Sequence, residues 1–179
     1  CWAITEPGHN KGSAPLEVDL LPVSTMPEDR PITVVFSQSM DPRSFRLGKD
    51  GTLIVEKVTV NDSGKPIEGT IGSGEIVEGR LEFNNRQVRF FPDTPWQPGE
   101  FYRYTMMSVE DDDSATCAHA APTSVCGVNG LALKTDILEG LDDGGGSNGA
   151  DNMTIYFQGT EKLETVFTPL RNFQVRDTN

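Results

Sequence analysis

A chain of 179 residues with 36% hydrophobic residues, 18 glycines and 12 prolines has material for one well-cored domain of short strands and turns, not for long helices. Its 27 acidic residues against 15 basic ones give a formal charge of -12, which argues against nucleic acid as a partner and disfavours direct electrostatic binding to an anionic bilayer. No apolar run approaches the roughly 18 residues that cross a membrane as a helix.

Residues 1–15 have no hydrophobic period and hold several glycines and prolines after Glu6, so they read as an extended N-terminal tether. The chain begins on Cys1, the residue type at which bacterial lipoproteins are cut and acylated; a fragment boundary that happens to fall on a cysteine is the competing reading. Leu16, Val18 and Leu20 alternate with Glu17 and Asp19, the period of a half-buried strand, and Pro22 ends it. From Ile32, the side chains of Ile32, Val34 and Phe36 fall on one face and Thr33, Val35 and Ser37 on the other, as expected for a central strand. Met40 follows as a core plug, and Asp41 before Pro42 is a turn former able to bond nearby amides.

Thr52 to Val60 repeats the alternation with Leu53, Val55 and Val58 inward, and Asn61 to Pro66 is the turn of a hairpin. Glycines 69, 72, 74 and 79 lack the following amphipathic helix of a dinucleotide site and read as loops between short strands. Val88 and Phe90 form an inward pair stopped by Pro92, and Pro95-Trp96-Gln97-Pro98-Gly99 makes a rigid corner before the strand from Phe101. Tyr102 sits where a tyrosine corner places its ring inward and its hydroxyl on the backbone across the bend, with Trp96 capping the same end of the core. Residues 114–130 are a small-residue loop with two cysteines, 141–149 a glycine-rich loop, Met153 to Gln158 a last strand, and 169–179 a polar C-terminal tail. The division expected is therefore a tether (1–15), one β-sandwich (16–168) and a tail.

Candidate chemistry is sparse. Cys117 and Cys126 lie close enough in sequence for a disulfide in an oxidising compartment, which leaves Cys1 as the odd cysteine. His119 between them permits a zinc reading, but a fourth ligand is missing and the spacing is not that of a knuckle. Asp111, Asp112 and Asp113, and separately Asp142, Asp143, Asn148 and Asp151, are open to calcium binding or to reading as solvated loops. The rings of Trp2, Trp96, Tyr102, Tyr104 and Tyr156 could form a glycan platform, although most suit a core better. With only His9 and His119 as bases and no Gly-x-Ser-x-Gly elbow, no catalytic residue, metal ligand or cofactor is assigned, and the chain reads as a non-enzyme.

Two phrases carry a family resemblance. Phe36-Ser37-x-x-Met40-Asp41, and later Phe90-x-Pro92 with Gly99 and Tyr102, resemble the bacterial Ig-like domains of surface-layer and surface-anchored proteins, with Trp96 where that pattern usually has leucine. The resemblance covers roughly residues 16–135. It implies an all-β fold, an Ig-like antiparallel sandwich in a single domain with extended termini, without shared catalytic residues. The expected function is a structural or adhesive module outside a bacterial cell, at the surface or lipid-anchored to the outer membrane through Cys1. Its partners would be other surface proteins, or copies of itself joined by strand addition. The alternative is a ligand-binding module for glycan or calcium.

Overall fold

The structure, a computed structural model, describes residues 3–4, 25–67, 69–108, 116–133 and 152–162. The described residues contain no α-helix; they form two β-sheets packed face to face. The larger sheet contains β1 (Ala3–Ile4), β2 (Thr25–Pro27), β4 (Leu53–Lys57), β5 (Glu75–Ile76), β8 (Phe101–Met106) and β9 (Met153–Thr160), in the order β1-β9-β8-β4-β5. β2 also lies against β9, in parallel, with Thr25 opposite Gln158 and Pro27 opposite Thr160. The smaller sheet has β3 (Ile32–Val35), β6 (Gly79–Asn84) and β7 (Gln87–Pro92), with β7 in the middle.

Alternation decides which side chains meet between the sheets. Ile32 and Val34 of β3, with Val88 and Phe90 of β7, face Leu53 and Val55 of β4, Tyr102, Tyr104 and Met106 of β8, and Ile155 and Phe157 of β9. Met40 is buried among them as expected, whereas Val35 on the opposite face of β3 is 67% exposed. Among the described residues β3 pairs only with β7 and stands at the end of its sheet; the segment before Thr25, where a further strand is expected, lies outside them. Its short apolar run looks the same whether one neighbour or two flank it, so strand order is not readable from alternation.

The turn at Asn61–Pro66 forms as expected, with the Asn61 side chain accepting from the amides of Ser63 and Lys65. Strand β6 is one of the short strands among those glycines and begins at Gly79 itself; it returns into β7 through a two-residue turn in which Asn85 has φ 53°. Of the segment expected to be a tether, Ala3 and Ile4 pair with Ile155 and Tyr156. The strand expected at Leu16–Leu20 and the tail 169–179 lie outside the described residues.

Candidate functional site

Three polar constructions stand out on this framework. The first is the corner between β7 and β8. Gly99 has φ 83°, a conformation that favours glycine, and reverses the chain so that Tyr102 points back under the bend. The Tyr102 hydroxyl accepts from the Gln97 amide at 2.9 Å, and Trp96 donates its indole N–H to the Arg30 carbonyl at 2.7 Å. Trp96 meets Tyr102 and Phe157 of the larger sheet edge-on, each at 5.0 Å between ring centroids, and lies 6.3 Å from the Phe90 ring of the smaller one, so the expected corner also joins the two sheets.

The second lies on the outer face of the larger sheet. Register sets Glu56 of β4 opposite Arg103 of β8, and Arg103 opposite Tyr156 of β9. Glu56 and Arg103 are both buried, and Arg103 Nε donates to Glu56 Oε1 at 2.7 Å. The rest of the guanidinium donates to the carbonyls of Gly69 and Thr70 and to the Tyr156 hydroxyl. The carboxylate in turn accepts from the amides of Gly72 and Gly74. The glycine-rich loop is therefore a lid clamped over an ion pair. A Cβ at Gly74 would stand 2.3 Å from the Lys57 carbonyl oxygen and 2.8 Å from Glu56 Oε2, so only glycine allows this approach. Burial works to lower the Arg103 pKa, but the hydrogen bonds to Glu56 and Tyr156 and their charges outweigh it and hold the guanidinium firmly protonated.

The third surrounds the disulfide. Cys117 and Cys126 are bonded, with Cα atoms 6.0 Å apart, so neither sulfur is a zinc thiolate. The loop they close lies against the bend after β3. His119 Nε2 is 3.0 Å from Asp41 Oδ2, and Arg46 donates to the carbonyls of His119 and Ala120. Asp41 also caps the short 3-10 turn Pro42–Ser44 by accepting from the Arg43 amide at 3.0 Å and pairs with the Arg43 side chain. Burial acts to raise the Asp41 pKa, but the Arg43 hydrogen bonds and charge, with help from His119, bring it below the ordinary carboxylate value. Ser44 completes the contact: its hydroxyl donates to the Asp41 carbonyl and accepts from the Cys126 amide at 2.9 Å. An aspartate–histidine pair is thus present, but the neighbouring serine hydroxyl is committed to backbone and both cysteines are oxidised.

Other sequence-derived candidates are not gathered into a site. Trp96, Tyr102, Tyr104 and Tyr156 are all buried, which removes them as a stacking platform for sugars. The Tyr104 hydroxyl has no hydrogen-bond partner among the described residues, and burial pushes its pKa above the usual phenol range. Cys1, Trp2, His9, Asp111 to Asp113 and the acidic stretch 142–151 lie outside the described residues. Among those described, no three His, Cys, Asp or Glu side chains converge as metal ligands, and no helix is long and apolar enough to cross a membrane.

Comparison with known proteins adds one relation. The chain is 48% identical over 180 aligned residues to "Alkane uptake protein B" of Marinobacter nauticus, a match that covers all of this chain. The chain spans about 15% of that protein's length. No protein-family model matches the sequence, and no solved structure matches the fold.

Proposed function

We propose that the chain is an Ig-like sandwich acting as a structural module of a larger bacterial surface protein engaged in alkane uptake. It holds neighbouring parts in place and carries out no chemistry itself. Strand order is the observation that supports this reading most. The sheet orders β3-β7-β6 and β9-β8-β4-β5 support it, since reading β3 to β9 as strands B, C, C′, D, E, F and G gives B-E-D facing G-F-C-C′. The corner tyrosine at the start of β8 is where such a sandwich carries it.

The polar constructions support a mechanical role. Each ties a loop to the sheets: Tyr102 the corner, the Glu56–Arg103 pair the glycine lid, and the disulfide with Asp41 the loop beside β3. The alkane context and the surface position come from the relative's name.

Exchange of the matching segment in the Marinobacter nauticus protein tests the module's role. Deleting it should impair growth on alkane, and an unrelated rigid sandwich of the same end-to-end length should restore growth. Restoration by the native sequence alone would assign the module a specific ligand and overturn the spacer reading.

A further inference from the structure

Among the described residues the smaller sheet ends on β6, which pairs on one side only. Pairing of Asn84 with Gln87 across a two-residue turn makes that pair a hydrogen-bonded one, so the amides and carbonyls of Asn84, Glu82 and Arg80 point toward β7. The bond from the Asp93 amide to the Glu78 carbonyl, one repeat further, has the same phase. Those of Gly79, Leu81 and Phe83 therefore point away from β7, along the free edge. Among the described residues nothing pairs with that edge. It has no proline, no bulge and no inward-pointing charge, and its charged side chains, Arg80 and Glu82, are of opposite sign on the solvent face.

We propose that two copies of this module associate through β6, antiparallel, about a two-fold axis at Leu81; this rests on the structural reading above and names its partner. The occupant is argued from self-complementarity. With Leu81 opposite its own copy, the residues with outward amides face one another, so the ladder can form without a shift. On the solvent face Arg80 then lies opposite Glu82 of the second copy, and Glu82 opposite Arg80, where cross-strand opposite charges attract. Both side chains are well exposed, at 60% and 50%, and already pair within one chain. On the inner face Phe83 lies opposite Gly79, which brings no side chain of its own to the contact; the space above it is filled by the Phe90 ring of the same sheet. The axis closes the contact as a dimer, and the two three-stranded sheets become one continuous sheet.

The test is sedimentation velocity on the 179-residue chain over a range of concentrations, with two charge reversals. The unaltered chain should pass reversibly from monomer to dimer. Arg80→Glu and Glu82→Arg each set like charges opposite one another and should weaken the dimer at least about tenfold. An equimolar mixture of the two should dimerise again, because both acidic positions of the first variant's strand then face basic positions of the second. Mixing cannot restore the pair lost within each chain, so recovery reports the contact between chains; unchanged thermal melts check that both variants fold. A monomer at all concentrations, a dimer indifferent to either reversal, or a mixture that stays monomeric overturns the proposal. None of these outcomes touches the spacer reading, which the segment exchange tests separately.

Discussion

Asp41 joins a turn cap, an arginine pair and a histidine from a distant loop, so its removal should be felt beyond its own turn. Asp41→Ala should lower stability by about 1–2 kcal/mol near neutral pH, the usual cost of a lost cap. Because its carboxyl titrates below the ordinary range in the folded state, its contribution is complete above the unfolded-chain value near 4 and is lost as pH falls through the lowered one. Urea unfolding at pH 7 and pH 3 should therefore give a clear gap between the two proteins at the first and a narrower one at the second; an equal gap would mean that charge plays no part. The Glu56–Arg103 pair carries more. Arg103→Met strands a buried carboxylate and should cost about 3–5 kcal/mol. Glu56→Gln strands the guanidinium, and the double variant should lose clearly less than the sum of the singles, by about 1 kcal/mol or more. Additive losses in a urea double-mutant cycle would show that the two are not coupled.

At the scale of elements, the disulfide and the backbone contacts around it do different work. The hairpin from Cys126 to Ala132 is held by the bridge of Gly127 to Met40, by the Val125 amide on the Met107 carbonyl and by Ser44, none of which needs the sulfur bond. The stretch from Cys117 to Thr123 has fewer backbone ties. Reduction should cost roughly 2–3 kcal/mol, and hydrogen exchange should rise at Ala121 and Thr123 while Val125 and Gly127 stay protected; uniform loss across the loop would overturn this division. These elements also show what a sequence reveals. The corner at Trp96 and Tyr102, the alternation in β3 and β9 and the cysteine pair are legible because each is a local pattern with one physical solution. Strand β6 is harder to see although Leu81 and Phe83 alternate with Arg80 and Glu82 and a turn follows at Asn85, because the glycines around it read as loop. The buried ion pair leaves no local mark: Glu56 within Leu53-Ile-Val-Glu-Lys57 looks like a solvent-facing residue, and the loop that covers it lies further along the chain.

The whole molecule places strands from near both ends of the chain side by side, which fixes how it meets a pull along its length. Strand β2 runs parallel to β9, and the Glu28 amide extends the contact to the Thr160 carbonyl at 2.8 Å. Tension applied at the two ends draws β2 toward its start and β9 toward its finish. In a parallel pair these directions oppose each other along the strands, so the ladder is loaded in shear and its bonds must fail together. Among the described residues the antiparallel contact of β1 with β9 is two residues long and lies open to peeling, so it should yield first and pass the load to β2. The hairpin of β6 and β7 provides the opposite case, since pulling at Glu78 and Asp93 separates the strands from their open end one pair at a time. Single-molecule pulling should therefore give one main rupture for end-to-end loading, at a clearly higher force than opening through handles at 78 and 93, because forced unfolding is governed by the barrier along the pulled direction. Equal forces in the two geometries would deprive the parallel pair of any load-bearing role and would count against a module that works by holding its neighbours apart.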